Sequence, residues 1–164
     1  MIVVSNASPL IALSKIKKFH LLKELFSEVK IPEAVYREVV VHGKGQTGAK
    51  EVRTASERFI HVISVRDTLA VEVLLSELHY GEAESIILAK EIEADLLLLD
   101  DDRAKVKAKS LGLSAHGTLG LLLMAHERGL IKNIKQSLYE LREKGFWVRD
   151  EIIEVVVRVC EEKK

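Results

Sequence analysis

Residues 81–102, Gly81-Glu82-Ala83-Glu84-Ser85-Ile86-Ile87-Leu88-Ala89-Lys90-Glu91-Ile92-Glu93-Ala94-Asp95-Leu96-Leu97-Leu98-Leu99-Asp100-Asp101-Asp102, decide the fold. Tyr80-Gly81 breaks the chain, and a helix is predicted over 82–93. Residues 95–99 follow as an apolar strand too continuous to face water on either side, which is the signature of a parallel strand covered by helices on both faces. A helix of about 11 residues falls ~17 Å, and a strand of about 5 residues climbs back ~17 Å. The chain therefore returns to the level it left, and Glu82 and Asp100 arrive at one edge of the sheet.

Working outward, residues 2–5 form a β-branched run suited to a buried strand, and Ser8-Pro9 offers an N-cap with proline at the first helical position. A helical stretch is expected over 10–26, a second strand over 29–31, and a helix opening at Pro32 and running to about residue 41. Residues 61–64 and 113–115 are expected to be two further strands. Five strands alternating with helices imply an α/β domain with a parallel central sheet. The glycine-rich segment 42–48 is expected to be a mobile loop. It lacks the Gly-Lys-Ser/Thr ending of a phosphate-binding loop. The tail over 150–162 is rich in β-branched residues but is expected to be helical, with 147–164 as a packing segment or a surface for a second copy of the chain.

The chain has 164 residues, 48% of them hydrophobic and 30% charged, the composition of one soluble globular domain spanning 1–164. Its single cysteine, Cys160, excludes a disulfide framework and a thiolate zinc site. No apolar run is long enough to span a bilayer, and Met1–Val4 leads directly into Ser5-Asn6, so a cytoplasmic protein with no membrane partner is expected. Lysine plus arginine and aspartate plus glutamate both number 25, so any nucleic-acid contact must be local. The candidate patch is Arg103, Lys105, Lys107 and Lys109, on two adjacent stripes of one helix. The alternative is an ordinary solvated face.

Four acid-or-amide positions, Asn6, Glu38, Glu82 and Asp100, each fall at a strand end or near a helix start. In a parallel α/β sheet these ends share one rim. Glu38 lies further into its helix, but helical side chains lean toward the N-terminus and bring its carboxylate up. Carboxylates crowded together stay ionised most readily around a hard cation, and oxygen ligands without a His/Cys cluster suit Mg²⁺ or Mn²⁺. Each acid also has a structural reading. Glu82 and Glu84 suit a helix N-terminus. Asp100, Asp101 and Asp102 suit a cap.

The segments Val-Val-Ser-Asn6-Ala-Ser8-Pro-Leu-Ile, Ile-Pro-Glu-Ala-Val-Tyr-Arg-Glu38, Gly81-Glu82-Ala-Glu84-Ser-Ile, Leu-Leu-Leu-Leu-Asp100-Asp101-Asp102 and Gly117-Thr118-Leu-Gly, in that order up to about Phe146, resemble the PIN-domain family. The likeness is to its prokaryotic branch with GEAE, DD and GT motifs, related to VapC-type toxins. The resemblance implies a three-layer α/β/α sandwich and a Mg²⁺- or Mn²⁺-dependent endoribonuclease, with RNA as substrate and, in a toxin pair, an antitoxin protein as partner. Carried over, the family's acids fall on Asn6, Glu38, Glu82 and Asp100. Ser8 matches the small hydroxyl after the first acid, Asp101 supports the fourth, and Thr118 matches the GT threonine. Asn6 departs from the pattern, since its amide offers one oxygen and no charge. The competing expectation is therefore a PIN module that binds RNA or a protein without cutting. A phosphoacceptor domain would need an acidic pair after the first strand, and Asn6-Ala7 lacks it.

Overall fold

Five short strands form one fully parallel sheet in the order β3-β2-β1-β4-β5, with β1 Val3–Ser5, β2 Val29–Pro32, β3 Ile60–Ile63, β4 Leu96–Leu98 and β5 Ala115–His116. The computed structural model describes residues 1–163. Side chains alternate across the sheet, as a period of two requires. Val3, Leu96 and Leu98 join one buried cluster, and Val4, Leu97 and Leu99 join the other. Helices α1 Ala7–Lys15, α2 Leu21–Phe26, α8 Thr118–Glu127, α9 Ile134–Glu143 and α10 Asp150–Glu162 supply the first cluster. Helices α5 Thr68–Leu74, α6 Tyr80–Glu91 and α7 Asp102–Ser110 supply the second. The architecture is the expected three-layer α/β/α sandwich.

The strand order places a topological switch between β1 and β4. From β1 the chain winds outward through β2 and β3, then returns to the other side of β1 as β4 and β5. Helices leave a crevice at such a point, outside the carboxyl ends of the two strands, and ligands bind there. Asn6 follows β1 directly, and its N–H bonds to the Leu98 carbonyl of β4 at 2.9 Å. Asp100 lies just beyond β4.

Several elements differ from the sequence expectation. The stretch 10–26 is two helices, because α1 ends at a left-handed Lys17 (φ 58°). The Lys18 N–H bonds to the Leu13 carbonyl and the Lys17 N–H to the Ser14 carbonyl, closing a Schellman cap without the usual glycine. Helix α1 starts at Ala7 with Asn6 as its N-cap, so Ser8 is not the cap and Pro9 is the third helical residue. That position still precedes the first intrahelical N–H bond, which proline would lack. Pro32 ends β2 and caps α3 Glu33–Tyr36, which continues as a π-helical turn over Arg37–Val41. The glycine-rich segment is a run of turns leading into α4 Ala49–Ala55, and neither α4 nor α5 was foreseen. The fifth strand is shifted to 115–116, since residue 113 is still tied by its N–H to the Ala108 carbonyl of α7. The tail is helical, and α10 buries Ile153, Val156 and Cys160 against the core. No helix among the described residues is long and apolar enough to cross a membrane.

Candidate active site

Asn6 occupies an N-cap, where an asparagine oxygen ordinarily accepts an N–H from the first helical turn. Here the side chain makes no capping bond, and Oδ1 is buried without any hydrogen-bond partner. The residue is only 6% exposed. A buried carbonyl oxygen lacking a donor costs roughly 1–3 kcal/mol, so Asn6 Oδ1 is open to a donor or a cation.

Glu38 and Glu82 line the same cavity of about 290 Å³ as Asn6. The π-helical turn sets the facing of Glu38, because its extra residue per turn rotates the side chain relative to a regular helix. Burial pushes the Glu38 carboxyl above its ordinary value, and the negative charge of Glu82 pushes it further, while His79 and His42 pull the other way. Glu82 is the third residue of α6 and accepts the His79 N–H at 3.1 Å, which secures the helix start. Its structural reading and its place at the site thus hold together.

Gly81 makes the room. A Cβ there would lie 2.9 Å from Glu38 Oε2 and 3.3 Å from Asn6 Oδ1. Both are tips of side chains, which can move aside at little cost to folding. Gly81→Ala is therefore expected to leave the melting temperature within about 2 °C, since alanine also favours the helix, while weakening Mn²⁺ binding about 10-fold or more. Unaltered Mn²⁺ affinity by calorimetry would show that the gap beside Gly81 is not a ligand position.

Asp100 sits in the adjoining cavity of about 590 Å³, which shares Asn6, Ser8 and Glu82 with the first. Its carboxylate is fixed by three donors. The Thr118 N–H reaches Oδ1 at 2.6 Å, and the hydroxyls of Thr118 and Ser8 reach Oδ2 at 2.7 and 2.9 Å. Thr118, fully buried, begins α8, so the Gly117-Thr118 turn is the clamp that orients Asp100. Gly117 is as constrained as Gly81, because a Cβ would come 2.8 Å from Asp100 Oδ1.

Asp101 follows its structural reading. It caps α7, with Oδ1 accepting the Ala104 N–H at 2.8 Å, although it also lines the second cavity. Of the basic patch, the structure brings only Lys105 to the acids, where it pairs with Asp102 at 3.7 Å. Lys107 turns to Glu77 at 3.2 Å, and Arg103 lines neither cavity. Helical geometry explains the split, since positions 105 and 107 point about 200° apart.

Sequence reasoning missed the tie made by Glu84 and the place of several other residues at the site. Glu84 is buried at 8% exposure, and its Oε2 accepts the Ala34 N–H at 2.9 Å, tying α6 to the helix that carries Glu38. Lys15 and Lys144 line the first cavity, Trp147 the second, and Phe146 both. They come from α1 and from the turn after α9, far apart in sequence. Only the α9–α10 turn carries a local signal, a lone tryptophan just after a helix-ending glycine.

The metal-free protein should register the strain on Glu38. Its carboxyl holds a proton to higher pH in the folded than in the unfolded state. Between the ordinary value of 4.5 and the raised one, the folded state binds more protons, and stability falls as pH rises. In EDTA, Glu38→Gln should lack this decline and melt above the parent at neutral pH. Parallel melting curves across pH 4 to 8 would contradict it.

The donors present suit a hard divalent cation: an unpartnered amide oxygen, two carboxylates in one cavity and a third in the next. Among the described residues no three His, Cys, Asp or Glu side chains are grouped closely enough to form a metal cluster by themselves. Asn6 lies outside that set of residue types, and Asp100 is drawn toward Thr118. No curated protein matches the chain. A family model described as a PIN domain matches residues 2–162, well past Phe146, where the motif resemblance ends. With a nuclease-type fold, its acids at the β1/β4 switch and that match over nearly its whole length, the chain belongs to the PIN-domain family.

Proposed function

We propose that the protein is a Mg²⁺- or Mn²⁺-dependent endoribonuclease of the PIN type, hydrolysing RNA phosphodiesters as a VapC-like toxin would. The observation that carries this reading is the unpartnered, buried Asn6 Oδ1 in one cavity with Glu38 and Glu82. Asn6, Glu38, Glu82 and Asp100 would hold the metal. A divalent ion there would lower the pKa of a bound water and offset charge gathering on the phosphodiester. The chain's own residues do the positioning. Ser8 and Thr118 fix the angle of Asp100, Glu84 fixes the helix bearing Glu38, and Lys15 and Lys144 offer positive charge to the strand entering the first cavity. RNA cleavage that appears with Mn²⁺, disappears with EDTA and returns on re-addition is the expected result; cleavage indifferent to EDTA would reject it.

The second reading, a PIN module that binds RNA or a partner without cutting, is favoured by one feature. Asn6 supplies no charge to the site, and both oxygens of Asp100 already accept hydrogen bonds from Thr118 and Ser8. Mn²⁺-independent RNA binding with no cleavage under any divalent ion would select it.

A further inference from the structure

Trp147 is the only tryptophan of the chain and stands 85% exposed, although its neighbours on both sides are anchored. A large aromatic ring left in water forgoes the burial that normally makes it useful to a fold. The segment that carries it is not loose. Helix α9 ends in a Schellman cap, with Gly145 at φ 89° and the Phe146 N–H bonded to the Leu141 carbonyl at 3.0 Å. Val148 is buried, and its carbonyl accepts Arg142 Nε at 3.2 Å. Arg142 also pairs with Asp150 at 2.8 Å. The backbone that carries the indole is thus fixed on both sides, and the ring itself faces solvent.

It is held on the wall of the second cavity, which contains Asp100 and Lys105. Phe146 lies between the two cavities and lines both, and Lys144, three residues before Trp147, lines the first. The rest of that wall carries four carboxylates, Lys105, Ser8, Asn6 and two glycines, with Leu119 and Phe146 as its apolar members, so an apolar partner helix would bury carboxylates there without partners. A base offers the indole a flat face to stack on, and Lys105 and Lys144 offset part of the repulsion between its phosphates and the acids.

We infer that Trp147 is a stacking platform for an unpaired base next to the phosphate presented to the acids, with Lys144 and Lys105 contacting flanking phosphates. The inference rests on the ribonuclease reading for its substrate. Stacking on an aromatic ring is tolerant of base identity and contributes most when the ring is already positioned. The indole therefore selects for a strand whose bases are free, independently of any metal.

Because no other tryptophan is present, intrinsic fluorescence reports this one position. In EDTA, a single-stranded RNA of about 10 nucleotides should quench the emission of the full-length protein, and an abasic strand of equal length should not. Trp147→Ala should weaken binding of a labelled strand about 5- to 100-fold, and Trp147→Phe should recover most of it. The inference is overturned if the abasic strand binds as tightly as the normal one, or if Trp147→Ala leaves RNA affinity unchanged. It is equally overturned if Trp147→Ala alters only the oligomeric state in sedimentation, which would assign the indole to a protein contact. Quenching without any metal-dependent cleavage would retain the platform and reject the ribonuclease; cleavage with RNA affinity blind to Trp147 would do the reverse.

Discussion

Replacing Asn6 with aspartate is expected to destabilise the metal-free protein and, in the same variant, to raise Mn²⁺ affinity and RNA cleavage by about 10- to 100-fold, the scale on which altered ligand surroundings act. The two effects have one cause. Position 6 is 6% exposed, and it shares a cavity with Glu38, whose carboxyl is already pushed up by burial and by Glu82. A further carboxylate there adds like charge where water cannot screen it well, at a cost of about 1–3 kcal/mol. In a chain of this size each kcal/mol lowers the melting temperature by about 2–4 °C. A divalent cation bound there would reverse the sign, because the repelling oxygens would become its ligands. Calorimetric Mn²⁺ titration together with melting curves in EDTA and in Mn²⁺ would show the crossing. Equal melting temperatures and equal Mn²⁺ affinity in parent and variant would remove Asn6 from the site.

Asp100→Asn is expected to cut metal-dependent cleavage by at least about 100-fold while leaving the fold intact. The amide can keep its oxygen toward the Thr118 N–H and turn its nitrogen to the hydroxyls of Ser8 and Thr118, which can accept as well as donate. The stability loss should then be on the order of 1 kcal/mol. What disappears is the charge, fixed at the carboxyl end of β4 beside the switch crevice. Cleavage at the parental rate would place the chemistry elsewhere or trace it to a contaminating nuclease.

The fold was legible because its strongest signals are local. Residues 96–99 are apolar without interruption, and β4 Leu96–Leu98 lies within them, paired on both sides and buried on both faces. The return distance from Glu82 to Asp100 follows from two rises per residue. The less legible elements are those in which a local rule was overruled. Lys17 takes a left-handed conformation that sequence rules assign to glycine; the β-branched tail is helical as expected, with one side of it packed on α9 and α8. The π-helical turn at 37–41 has no periodic signature in five residues.

The sequence by itself determined the parallel α/β layering and the presence of acids at strand ends and helix starts, since apolar runs, helix breakers and residue types act over a few neighbours. Tertiary structure decided what each side chain faces. It left Asn6 Oδ1 without a donor, turned Asp100 to Thr118 and Ser8, gave Asp101 to a helix cap and Lys107 to Glu77, and brought Lys144 and Trp147 beside the crevice. Those outcomes depend on helix rotation, on the room two glycines leave, and on chain segments more than a hundred residues apart meeting at the β1/β4 switch, none of which spacing along one chain encodes.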